Sequence, residues 1–147
     1  MLGIVVEANV TGRKPHSAVV EIPFSFPFRD KPVQTRIMGY GIHEMLGTKM
    51  RTLFQRKRGR DLFDLYWALT KSAKPVDPAA IVESFQHYMK QEGTKAARAE
   101  FIGILDDHLK DRGFCSDMLP LLRTDITYEP QAAGKFVKTH LLNLLPA

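Results

Sequence analysis

Ile4, Val6, Ala8 and Val10 alternate with Val5, Glu7 and Asn9, the period of two that gives a strand one apolar face. The alternation returns at Ala18–Ile22 and again at Val33–Met38, so three strands are expected in the first forty residues. The stretch FSFPFRDKP between the last two is read as a loop, because Pro23, Pro27 and Pro32 cannot donate to the ladder of a central strand. Gly39 and Gly41 close the strand-rich part.

From His43 the period lengthens. Ile42, Met45, Leu46, Met50, Leu53 and Phe54 line one face of a helix, leaving Lys49, Arg51, Thr52 and Arg56 off it, with Gly59 read as its stop. A second helix is expected from Arg60 or Asp61 to Thr70, with Leu62, Leu65, Tyr66 and Leu69 on one face and Asp61, Asp64 and Ala68 on another. Joined by a short turn, the two make a helical hairpin. Further helices are expected at Asp77–Gln91, with Pro78 in its first turn, at Thr94–Arg112, ended by Gly113, briefly at Asp117–Leu122, and at Gln131–Leu145. Apolar stripes at Ile81, Phe85, Tyr88, Met89 and at Phe101, Ile102, Leu105, Leu109 mark this half as bundle core. The fold class is therefore α+β: a small N-terminal sheet in residues 1–41, followed by a helical hairpin and bundle in 42–147.

Composition narrows the setting. At 147 residues, 44% hydrophobic and 25% charged, the chain is an ordinary globular domain with one core. Cys115 is the single cysteine, which excludes an internal disulfide and points to a reducing compartment. The N-terminus lacks the pattern of a secretory leader and no apolar run approaches ~18 residues. The expected location is the cytoplasm, without membrane contact.

Charge singles out one segment. Lys49, Arg51, Arg56, Lys57, Arg58 and Arg60 oppose only Asp61 and Asp64, so this run holds +4 of the net charge of +5. Concentrated positive charge of this kind suits phosphate, whose oxygens are met by several fixed donors. Lys49 and Arg56, seven apart, would stack two turns from each other on one helix face, and Arg60 could fold back across the turn. The plainer reading stays open: cations at a helix C-terminus and acids in the next first turn, each placed to suit the helix dipole.

Asp61 and Asp64, at i and i+3, bring their Cβ atoms to roughly 5–6 Å. They could hold Mg²⁺ or act as a base toward a hydroxyl, or they could lock Arg56 and Arg60 by salt bridges. Glu7, off the apolar face of its strand, is either solvent exposed or one ligand of a metal site on the sheet. Phe63 and Trp67 offer a stacking face for a base, or belong to the core. The five histidines show no ligand spacing, and Cys115 lies in no nucleophile motif.

The stretch HEMLGTKMRTLFQRKRGRDLFDLYWAL resembles the signature of the AbiEii/AbiGii abortive-infection nucleotidyltransferase toxins, of the DNA polymerase β-like nucleotidyltransferase superfamily. Glu44, Met45, Leu46, Lys49, Leu53, Arg56, Arg60, Asp61 and Asp64 occupy the places of the family's Glu-Leu-Leu, Lys, Leu, Arg and Arg-Asp-x-x-Asp positions. Upstream, VVEANV is similar to the family's Glu-Ile-Asn strand. The resemblance implies catalytic roles for Lys49, Asp61 and Asp64, with Asp61 the catalytic or orienting carboxylate and Asp64 its support. Lys49, Arg56 and Arg60 would hold nucleotide phosphate, with Arg51 of the same run counted among them, and Glu7 would be a metal ligand. It also implies an NTP substrate, Mg²⁺, transfer of a nucleoside monophosphate to RNA or protein with loss of pyrophosphate, and a cognate antitoxin as partner.

The sequence departs from the family at its start. No Gly-Gly occurs and no two acids stand at i and i+2, so the family's Gly-Gly-Ser phosphate cradle and Asp-x-Asp metal pair are both missing. The expectation is a truncated nucleotidyltransferase-like toxin that retains phosphate binding but not turnover by itself, unless an upstream-encoded fragment supplies the missing half. The alternative is a non-catalytic module that docks nucleic acid or the antitoxin. A sheet left with an open edge would also pair between copies, giving a homodimer.

Overall fold

The computed structural model describes residues 14–29 and 31–147. The expected strand at Ile4–Val10, and Glu7 with it, lies outside these. Two antiparallel strands, β1 (Val20–Phe28) and β2 (Lys31–Gly39), precede six α-helices: α1 (Ile42–Gln55), α2 (Gly59–Lys71), α3 (Pro78–Gln91), α4 (Arg98–Lys110), α5 (Arg112–Ser116) and α6 (Pro130–His140). Short 3₁₀ turns stand at Leu119–Leu121 and Leu142–Leu144. The class is α+β.

The hairpin corrects the loop expected at FSFPFRDKP. The register runs from Val20 opposite Gly39 to Phe28 opposite Lys31, so most of the proline-containing stretch is strand. Paired positions alternate between hydrogen-bonded and non-bonded, and Pro23, Pro27 and Pro32 all fall on one alternate set, with Pro27 opposite Pro32. Among the described residues the ribbon has two strands, each with an open edge, so ring nitrogens that point outward forfeit no ladder bond. Arg29, in the left-handed region at φ 52°, opens the tight turn.

Alternation puts Val20, Ile22, Phe24, Phe26 and Phe28 on one face with Val33 and Ile37 across from them. Among the described residues nothing covers that face: Ile22 is 43% exposed, Phe24 46% and Phe28 54%.

The helices pack around Met50, Leu53, Leu62, Leu65, Ile81, Phe85, Phe101, Leu105, Val137 and Leu142, all essentially inaccessible. α1 lies against α3 and α2, and α2 against α6. The face that α1 buries is rotated from the expected one. Leu46, Met50 and Leu53 are inside, but Ile42 and Met45 are exposed while Glu44 and Gly47 are buried. Gly47 explains the rotation, since a Cβ there would stand 2.5 Å from the Ser84 Cβ of α3; the two helices meet at their smallest residues.

Gly59 is the first residue of α2 and not the stop of α1. Its hydrogen faces the Phe114 carbonyl of α5, which a Cβ would approach to 2.1 Å. α4 starts at Arg98, later than expected, and ends where the Asp111 carboxylate caps α5 by accepting from the Phe114 N–H, leaving Gly113 inside a helix. Asp77 and Glu129 cap α3 and α6, each followed by proline. The short helix expected at Asp117–Leu122 is the 3₁₀ turn at Leu119–Leu121, and the last expected helix breaks at Leu141.

Candidate functional site

α1 ends at Gln55 because Arg56 is extended, at φ −143° and ψ 151°. Three residues later α2 begins, which sets its first turn beside the last turns of α1 and aims Asp61 back across the notch. Asp61 is completely buried. The Arg56 guanidinium meets it in a fork, Nε to Oδ2 at 2.8 Å and Nη2 to Oδ1 at 3.0 Å. From the other side Lys49 Nζ stands 3.6 Å from Asp61 Oδ1 and 2.7 Å from Asp64 Oδ2. Four residues, from the middle of α1, the turn and α2, thus form one network of two cations and two carboxylates.

Burial within the network is graded. The Asp61 side chain is inaccessible, whereas Lys49 is 37% exposed, Asp64 39% and Arg56 52%. The hydrogen bond to Asp61 holds the Arg56 guanidinium above its ordinary value, against the opposing effect of burial. Asp61 engages Nε and one Nη2 hydrogen, so the Nη1 hydrogens and the second on Nη2 stay available in the fixed guanidinium plane. Arg56 is not on the α1 face as expected; it reaches the notch from an extended residue beyond the helix end.

Arg51, Lys57 and Arg60 of the run are held elsewhere. Arg51 Nη1 pairs with Glu92 Oε1 of the α3 C-cap at 2.5 Å, its guanidinium 5.7 Å from the Tyr88 ring centroid. Arg60 turns away from the notch to Asp117, through its backbone N–H at 3.1 Å and its Nε at 3.3 Å. Burial pushes the Asp117 carboxyl up, but the Arg60 donors outweigh it and bring it below the ordinary carboxylate range. Lys57 pairs with Asp111 at 2.8 Å, and that bond holds Asp111 low.

One charged residue of the signature was assigned no role in the sequence. Glu44 is buried, and its carboxylate accepts the backbone N–H groups of His16 at 2.8 Å and Ser17 at 3.0 Å and the Tyr88 hydroxyl. Burial raises its pKa, but the Tyr88 hydroxyl and the two N–H groups together hold it below the ordinary glutamate value. Burial and the neighbouring carboxylate push the Tyr88 hydroxyl up. Glu44 thereby ties the bend preceding the hairpin to both α1 and α3. Its backbone partners, 27 and 28 residues upstream, leave no local signal in the sequence.

Residues 2–135 match the family model for the nucleotidyl transferase AbiEii toxin of type IV toxin–antitoxin systems. The chain belongs to the AbiEii toxin family. Curated proteins and solved structures gave no match. Membership of the AbiEii family brings a nucleotidyltransferase-toxin-like function and an antitoxin as counterpart, and the family's chemistry uses NTP and Mg²⁺. No helix among the described residues is long and apolar enough to cross a membrane.

The described residues do not fit Mg²⁺ by themselves. No three His, Cys, Asp or Glu side chains among them converge, and Asp61 and Asp64, the two acids of the notch, are already neutralised by Arg56 and Lys49. A hard cation needs several oxygen ligands at once.

Proposed function

We propose that the notch between α1 and α2 binds the phosphates of an NTP, with Lys49 and Arg56 as donors and Asp61 as the buried residue that aims them. The observation that carries this reading is the grading of burial: one inaccessible carboxylate behind two cations that remain open to solvent. A solvated helix face would not need a fully buried acid to fix the direction of its guanidinium. The fork on Asp61 orders Arg56 before the ligand arrives, so phosphate meets donors already in place. Asp64, half-exposed beside Lys49, is the carboxylate placed to meet an acceptor hydroxyl or to hold the ammonium against phosphate. Arg51 and Arg60, pinned to Glu92 and Asp117, act by fixing the notch and not by touching nucleotide.

Within nucleotidyl transfer the acceptor oxygen forms a bond to the α-phosphorus while the bond to the bridging oxygen breaks and pyrophosphate leaves. Donors at the phosphates stabilise the leaving group. The metal-binding acids are absent from this set, in keeping with a sequence that has no Gly-Gly and no acids at i and i+2. We infer that an upstream-encoded fragment carries them and packs on the uncovered apolar face of the hairpin. In its absence the open edges of β1 and β2 pair between copies.

Calorimetric titration with ATP, GTP, CTP and UTP tests the notch: Lys49→Ala and Arg56→Ala are expected to weaken binding at least tenfold, and unchanged binding in both overturns the reading. Co-expression of the whole operon tests the completion. A co-purifying fragment with Mg²⁺-dependent incorporation of NTP supports it; an isolated, inactive chain counts against it.

A further inference from the structure

Phe63 and Trp67 stack on each other along α2, ring centroids 5.4 Å apart and planes 23° from parallel. Both are only partly buried and stand outside the buried core cluster. The Tyr128 ring meets Phe63 edge-on at 5.0 Å and leans on Tyr66 at 6.1 Å, so the stack is braced from one side. Trp67, with Phe63 behind it, also lines an open cleft of about 560 Å³ together with Lys71, Arg123, Asp125, Ile126 and Thr127. Large rings held rigid beside a cleft with cations at its rim are what a planar, negatively tethered ligand requires.

Sequence spacing ties this shelf to the notch. Asp64, Trp67 and Lys71 follow one another at three and four residues, hence along one stripe of α2. At 1.5 Å per residue, Trp67 lies about 4.5 Å farther along the axis than the Lys49–Asp64 pair. Among the described residues Lys71 makes no ion pair and Arg123 pairs with the exposed Asp125 alone, at 3.0 Å, a surface pair of the kind that yields readily to a ligand.

We propose that Phe63 and Trp67 form a stacking shelf for a nucleobase whose phosphate is held by Lys71, with Arg123 released from Asp125 to assist. Every base offers a π-face, so the shelf selects the class of ligand and not its sequence, and stacking of this kind is sequence-tolerant. The base comes from an acceptor strand of RNA or from the NTP itself; the shared chemistry is a nucleobase with an attached phosphate. The proposal deepens the nucleotidyltransferase reading but rests on different residues, so each can fail alone.

Trp67 is the only tryptophan in the chain, so its fluorescence reports the shelf directly. The full chain is titrated with an eight-residue oligoadenylate and, separately, with ATP, and both titrations are repeated on Lys49→Ala. Saturable, salt-sensitive quenching by the oligonucleotide that persists in Lys49→Ala places an acceptor strand on the shelf. Quenching by ATP alone assigns the shelf to the base of the NTP. Anisotropy of a labelled oligonucleotide or nucleotide then shows Trp67→Leu and Lys71→Ala each weakening binding about tenfold, with the helical circular dichroism of both variants unchanged. Absence of quenching by either ligand, or Trp67→Leu binding as tightly as the parent chain, overturns the proposal.

Discussion

Glu44 and Asp61 are both buried carboxylates, yet they do different work. Asp61 meets two cations, whereas Glu44 meets two backbone N–H groups and a hydroxyl, so Glu44 is a structural anchor whose charge is stabilised by neutral donors. Its folded pKa is below the ordinary value of 4.5. The stabilisation it gives is therefore complete above that value and is lost as pH falls through the folded pKa. Glu44→Gln is expected to lower stability at pH 7 by about 1–3 kcal/mol, with the difference from the parent shrinking toward pH 3, as read from urea unfolding at both pH values. An equal difference at both would show that charge is not what Glu44 contributes. At this scale the notch was legible because Lys49, Arg56, Asp61 and Asp64 lie within sixteen residues of one another. The partners of Arg51 and Arg60 were not, since Glu92 and Asp117 stand 41 and 57 residues away.

Among the elements, the α1–α2 turn sets the geometry of the notch, and Gly59 sets the turn. Because a Cβ at Gly59 would meet the Phe114 carbonyl at 2.1 Å, a backbone atom with little freedom to retreat, Gly59→Ala must push α2 away from α5. The expected cost is about 1–3 kcal/mol, seen as a lower denaturation midpoint, together with weaker nucleotide binding as Asp61 moves with α2. Gly113→Ala, whose nearest contact is the Asp111 carboxylate at 3.1 Å, serves as the milder control. Helices were readable wherever an apolar stripe of period 3.6 ran through them, as in α2 and α3. β1 was read short because proline argues against a central strand and a two-stranded ribbon has none. The role of Gly59 was misread for a related reason: the contact that demands glycine comes from Phe114 of α5, 55 residues later.

For the whole molecule, the asymmetry between a dry helical bundle and an open hairpin is the main physical fact. Val20, Ile22, Phe24 and Phe28 are each more than two-fifths exposed on one face of the hairpin, and Met38, Tyr40, Ile42 and Met45 are exposed apolar residues beyond it. A surface of that kind marks an interface. The proposed pairing of hairpins between copies predicts concentration-dependent association in sedimentation velocity. The double substitution Ile22→Ser and Phe24→Ser is expected to leave a monomer with an unchanged helical signal; association that persists in it would place self-contact elsewhere. Alternation of apolar residues announced the strands, but not that their face would stay uncovered, since nothing local says what packs on a sheet.

Nucleotide binding at the notch is the central claim, and the calorimetric titration of NTP into Arg56→Ala, set against the parent chain, reads it most directly. Arg56 is half-exposed and lies outside the helices, but its loss leaves the buried Asp61 with Lys49 alone at 3.6 Å, so an unchanged helical circular dichroism in the variant is the control for this titration. The expected result is binding by the parent and at least a tenfold loss in the variant; equal affinity in the two, or no binding by the parent, would contradict it.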